Sequence, residues 1–234
     1  MTSPAFLSVS DAASDLRLHE SRVRALLQAG RLEGVKLGGR WLVDGRSVWR
    51  RKRAGASRGR HLRPRNAWGL LALASGEQAP WLSPGERYRM RCLLDNNALH
   101  ALRPRLDERA TVHRFQAHAG VLRRLGMHGR LVLTGASAAS ARGLELVAGR
   151  ELDAYAPYGE VDDLIRRFAL SPADDESNVV LREMPAELWP FEERHAPVAA
   201  VAVDLGEYGD ARSADVAERA LAKLSSARAW RVER

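Results

Sequence analysis

Residues 6–43, FLSVSDAASDLRLHESRVRALLQAGRLEGVKLGGRWLV, leave this chain few ways to fold. Ser10 suits the N-cap of a helix beginning at Asp11: its hydroxyl can accept from a free backbone N–H, and the acid favours the positive helix end. Ala12, Ala13 and Leu16 give that helix a small apolar face, and Arg17-Leu18-His19 has room only for a turn. From Glu20 a second helix buries Val23, Leu26 and Leu27 at helical spacing and stops at Gly30, which suits the left-handed position past a helix end. Ser21, Arg22 and Arg24 fall on its other face, near its start. Val35-Lys36-Leu37 and Arg40-Trp41-Leu42-Val43 then flank Gly38-Gly39, a two-residue hairpin signal.

Helix, turn, helix and aromatic-ended hairpin in this order resemble the winged helix-turn-helix of the MerR and phage-excisionase superfamily. The resemblance implies that Ser21, Arg22 and Arg24 face the major groove of double-stranded DNA. Lys36, Gly39 and Arg40 would sit on the wing against the backbone, with Trp41 in the core. Arg17 and His19 stand where the family usually has a turn glycine and a capping Ser or Thr. The alternative is a small helical pair with ordinary surface arginines.

Charge points the same way. Residues 1–45 and 66–234 are each nearly balanced, whereas 46–65 (RSVWRRKRAGASRGRHLRPR) holds nine Lys/Arg and no acid, so one block makes the net charge +8. Such a block is usually solvated. It needs no fixed fold to displace counterions from phosphates. Arg46, Arg50, Arg51, Lys52 and Arg53 are expected on a third helix with Val48 and Trp49 packed inward, and Gly55 to Pro64 reads as a linker. The expected organisation is a winged helix-turn-helix at 1–53, a basic linker at 54–65 and a larger domain at 66–234.

The remaining residues suffice for a domain with its own core. No run of 18 apolar residues exists to span a membrane, and MTSPAFLSVS lacks the basic and apolar regions of a secretory signal. Cys92 is the single cysteine, so neither an internal disulfide nor a cysteine zinc cluster is available; beside Leu93 and Leu94 it is expected to be buried. A cytoplasmic location is expected, with no membrane partner.

The second domain is expected to be helical over 66–110 and sheet-bearing over 111–234, a mixed α/β arrangement that makes the whole chain α+β. Trp68–Leu73 is an apolar helical stretch, and Ser83-Pro84-Gly85-Glu86 is a capping box opening a helix to about His100. Strands are expected at Thr111–Phe115, Leu131–Thr134, Leu152–Ala156, Val179–Arg182 and Val198–Leu205, the last a central strand because it is apolar on both faces. Helices are expected near 119–125, 136–142, 159–168 and 212–224.

Leu133-Thr134-Gly135-Ala136-Ser137-Ala138-Ala139, Asn178-Val179-Val180-Leu181-Arg182 and Val203-Asp204-Leu205, behind such a head, resemble AbiEi-type antitoxins of type IV toxin–antitoxin pairs. That resemblance implies autoregulation, a cognate toxin protein as partner and no catalysis. A palindromic operator would further imply a homodimer. An enzymatic rival is a polymerase-beta-type nucleotidyltransferase, with Gly135-Ala136-Ser137 as its turn and Glu151, Asp153 and Asp204 as the acids that hold Mg²⁺. Glu151 and Asp153 are equally explained as the solvent side of an edge strand, and Asp204 as a strand end. A third class is an excisionase-like recombination factor. His113 and His118 have no third ligand nearby, Ser137 lacks a G-x-S-x-G setting, and no catalytic residue, metal or cofactor is expected. Arg87, Arg89, Arg91, Arg103, Arg105 and Arg109 form a second basic stretch, by default a solvated helix face and otherwise an extension of the DNA-contact surface.

Overall fold

A computed structural model describes residues 6–16, 18–28, 32–54, 60–146, 149, 151–173, 177–208 and 210–231, with positions 49, 50 and 52–54 described for backbone only. The chain is α+β and divides into two compact units, Met1–Arg58 and Gly59–Arg234.

The first unit runs β1 (Phe6–Ser8), α1 (Val9–Leu16), α2 (Glu20–Gln28), β2 (Gly34–Leu37), β3 (Arg40–Asp44) and α3 (Gly45–Ala54). Its antiparallel sheet has the order β1-β3-β2, so the wing gains a third strand that local sequence did not announce. β1 pairs Leu7 with Val43 and draws α1 forward. The helix starts at Val9, and Ser8 caps it in place of Ser10, its hydroxyl accepting from the Asp11 N–H at 3.1 Å. Ala12, Ala13, Val23, Leu26, Leu27, Leu32, Val43 and Val48 form the core, with Leu7 and Trp41 packed against them. Gly38 and Gly39 both have positive φ (54° and 79°), as a two-residue turn matched to strand twist requires. Arg17 and the stop at Gly30 lie outside the described residues.

The second unit opens with α4 (Pro64–Ala74), α5 (Pro84–Asn96) and α6 (Leu99–Leu102), followed by two 3₁₀ turns through Arg109. The expected helix to His100 is thus two helices. After these come β4 (Thr111–Gln116), α7 (Ala119–Gly126), β5 (Val132–Leu133), α8 (Gly135–Ala139), β6 (Leu152–Ala156), α9 (Val161–Phe168), β7 (Ser171–Pro172), β8 (Val179–Glu183), α10 (Val198–Leu205) and α11 (Ala211–Ala227). The sheet order is β5-β6-β8-β4-β7; β6 and β8 are parallel and every other pair is antiparallel. Side chains alternate across it. Leu152, Ala154, Ala156, Val179 and Leu181 pack with Leu125, Leu164 and Phe168 of α7 and α9, while Tyr155 joins Trp68 of α4 and Val201 of α10.

Three expectations are corrected. Val198–Leu205 is a helix and not a central strand. An apolar run of that length carries no period that separates strand from buried helix. Ala199, Ala200 and Ala202 favour helix, and α4, α8 and α11 pack around it, so it is apolar on all sides. Asp153 lies on an interior strand and is fully buried, not on the solvent side of an edge. Cys92 is half-buried rather than sequestered.

The expected linker also ends early. Residues 60–65 belong to the second unit: Leu62 is 7% exposed in its core, and its N–H donates to the Arg105 carbonyl at 2.8 Å. Leu62→Ala is therefore expected to destabilise the second unit by about 2–5 kcal/mol in a denaturant melt. A change within about 0.5 kcal/mol, as for an ordinary surface position, would contradict the anchoring.

Candidate functional site

α2 exists because Val23, Leu26 and Leu27 share one face and must be buried; its other face is left for solvent. The imidazole of His19 takes the capping role at its start, with Nδ1 accepting from the Ser21 N–H at 3.3 Å and lying 2.9 Å from the Ser21 hydroxyl. At about 100° per residue, Ser21, Ala25 and Gln28 form the centre of the outward face. All are exposed, as are Arg22 and Arg24. The two arginines lie about 160° apart around the helix axis, one on each flank of that stripe. A helix laid into a groove would thus present Ser21, Ala25 and Gln28 to its floor and an arginine to either wall. Arg24 donates to Glu20 at 2.7 Å, so a phosphate would have to displace that carboxylate. Gln28 was not singled out from the sequence, although an exposed amide one turn beyond Arg24 is the signal that marks it.

The hairpin divides its residues. Lys36 lies opposite Trp41 and Leu37 opposite Arg40, so Lys36 is on the helix-packed face of the sheet and Arg40 on the other. Both are exposed at the tip, on either side of Gly39. Asp44 caps α3, its Oδ1 accepting from the Ser47 N–H at 2.7 Å. Val48 packs inward, Arg46 is exposed and Arg51 half-buried, while Arg50, Lys52 and Arg53 occupy α3 with side chains outside the described set. The expected inward packing of Trp49 lies outside that set too.

The second unit gathers charges inside its core. Arg182 of β8 grips Asp153 of β6 through Nε and Nη2, at 2.8 and 3.0 Å, and donates to Glu207 at 2.6 Å. Arg109, expected on a solvated helix face, is 3% exposed; it donates to Asp204 near the end of α10 and to Glu207 at 2.6 Å. Thr134 and Tyr155 also donate to Asp204. Trp68 holds the Arg109 backbone carbonyl through its indole N–H at 3.1 Å and meets Tyr155 edge-on. Gly135 is required here twice over, by a φ of 49° and because a Cβ would lie 2.5 Å from Asp153 Oδ2.

The acids of the enzymatic rival therefore do converge in part, since Asp153 and Asp204 share Arg182, but guanidinium groups fill the space between them. Glu151 is exposed, and burial together with the charges of Asp210 and Asp153 raises its carboxyl. His113 pairs with Glu183 at 3.1 Å and His118 caps α7. No protein-family model, curated protein or solved structure matches the chain.

Burial raises the Asp153 carboxyl against the pull of Arg182. Burial would raise Glu207 as well, but Arg109 and Arg182 outweigh it and hold that carboxyl well below the usual range. A depressed folded-state value means that Glu207 contributes stability above its unfolded value of about 4.3, and that this is lost as pH falls through the folded value. Glu207→Gln is expected to flatten the loss of stability below about pH 4.3, whereas Arg182→Met, which strands Asp153, should cost about 3–5 kcal/mol at neutral pH. Parallel pH profiles for wild type and Glu207→Gln would contradict this assignment.

Proposed function

We propose that the chain is a sequence-specific DNA-binding transcriptional regulator, an autoregulating repressor with antitoxin-like character. The observation that carries this reading is the outward face of α2. The polar Ser21 and Gln28 and the small Ala25 form a narrow stripe between two arginines, beside a glycine-tipped hairpin with Lys36 and Arg40. Gln28 suits a bidentate contact to an adenine edge, and Arg22 or Arg24 suits a guanine edge or the flanking phosphates. Arg46, Arg50, Arg51, Lys52 and Arg53 put five cations on the following helix, where they supply affinity without sequence information.

In this reading the second unit serves a partner, a cognate toxin, rather than a reaction. The pairing of Asp153 and Asp204 with arginines supports that choice, because nucleotidyl transfer needs such carboxylates turned toward Mg²⁺. A two-fold operator would bring two copies of the chain together. In gel shifts on the duplex upstream of its own coding sequence, Arg22→Ala, Arg24→Ala or Gln28→Ala should weaken binding by about 1–3 kcal/mol, with much less effect on scrambled DNA. An unchanged operator-to-scrambled ratio in all three variants would contradict sequence reading by α2.

A further inference from the structure

Helix α4 begins with its charges reversed. Its N-cap is Arg63, whose side chain caps nothing, Pro64 follows, and the first turn contains Arg65 and no acid. Helices normally start with a small acceptor side chain and negative charge, because free N–H groups and the helix dipole make that end positive. Ser83 and Glu86 form a capping box on α5 and Asp210 caps α11 by accepting from the Ser213 N–H, whereas α6, α8, α9 and α10 also start without a side-chain cap; what sets α4 apart is the pair of arginines at its start. Two cations at the positive end of α4 oppose its stability, offset in part by Glu86, 3.7 Å from Arg65.

The surroundings add further positive charge on a fixed backbone. Arg60 is exposed and its carbonyl accepts from Arg105 Nε at 3.0 Å, while Leu62 is anchored to the Arg105 carbonyl. Trp81 donates to the Arg65 carbonyl at 3.2 Å. Arg63 and Arg65 are exposed. The carboxylates nearby include Glu86, 3.7 Å from Arg65 and close to the exposed Arg89, and Asp107 and Glu108 follow in the turn after Arg105. The later part of the arginine block is thus a preformed basic surface on a folded unit.

We propose that the second unit carries its own phosphate-contacting surface for nucleic acid, made by Arg60, Arg63, Arg65 and Arg105 around the amino end of α4, with Arg89 at its edge. This rests on the DNA-binding reading and extends it past the head. A phosphodiester placed there meets the helix N-terminus and planar guanidinium donors together. The surface carries no base-reading geometry, so it adds affinity and salt dependence but no sequence preference.

The test uses the full chain in anisotropy titrations on the upstream duplex and on scrambled DNA across a range of salt. In the triple variant Arg60→Gln, Arg63→Gln, Arg65→Gln, loss of up to three phosphate contacts should make the log–log salt slope shallower by about 2 to 3. Both duplexes should weaken alike, with the operator-to-scrambled ratio unchanged. Arg63→Asp separates binding from folding: it gives α4 a proper cap, so the melting temperature should rise while DNA affinity falls. A steep wild-type slope retained by the triple variant would overturn this surface and leave the head's role intact. Wild-type protein with no salt-dependent binding to any duplex would remove the DNA-binding reading and this surface with it. Variants that lose binding to polyglutamate or anionic vesicles but not to DNA would assign the surface to an acidic protein or a membrane, and would also overturn the proposal.

Discussion

The second unit depends on neutralising carboxylates inside its core. Asp153 on β6 and Asp204 on α10 are fully buried, and an isolated ionised carboxylate in such a place would not be tolerated. Arg182 and Arg109 resolve this and, in doing so, fix the layers: one guanidinium joins β8 to β6, the other joins the turn before β4 to the end of α10. Glu207 accepts from both, so the strands and the helix share one hydrogen-bonded cluster. Well-packed apolar residues often hold as well as a buried ion cluster, so the cluster is weak evidence of added stability; what it visibly does is join these elements. Trp68 extends the constraint into α4, by holding the Arg109 carbonyl and packing against Tyr155 and Phe191.

The first unit is organised on a smaller scale. Its core draws on α1, α2, Val48 of α3 and one face of a three-stranded sheet, and the outer face of α2 is left exposed. Among the described residues, Ser21 and Arg24 on that face make only local contacts, with His19 and Glu20, and neither enters the core. The cations near the start of α4 are placed by a different logic, since they work against their helix.

Much of the head was legible in the sequence, because its signals are local. Gly38-Gly39 gives the hairpin by backbone preference alone, and the spacing of Val23, Leu26 and Leu27 gives the buried face of α2. β1 was not legible, since Phe6–Ser8 becomes a strand only by pairing with β3. α10 failed for want of a period, in a segment whose burial on all sides removes the polar face that would have identified a helix. Arg109 and Arg182 look like surface residues when read one at a time. The signal that could have found the network is that LDAYA, VVLRE and VAVDL each place charge inside an apolar run, with signs that match. Lone charges in apolar runs are buried only when paired.

The claim that α2 reads sequence is tested most directly by selecting duplexes from a fully random pool with the intact chain. Enrichment of one short shared motif is expected, and repeating the selection with Ser21→Ala and Gln28→Ala should change the bases preferred within that motif while its length and position persist. A pool that stays unenriched, or a motif identical for wild type and both variants, would contradict the assignment of α2 as the reading element.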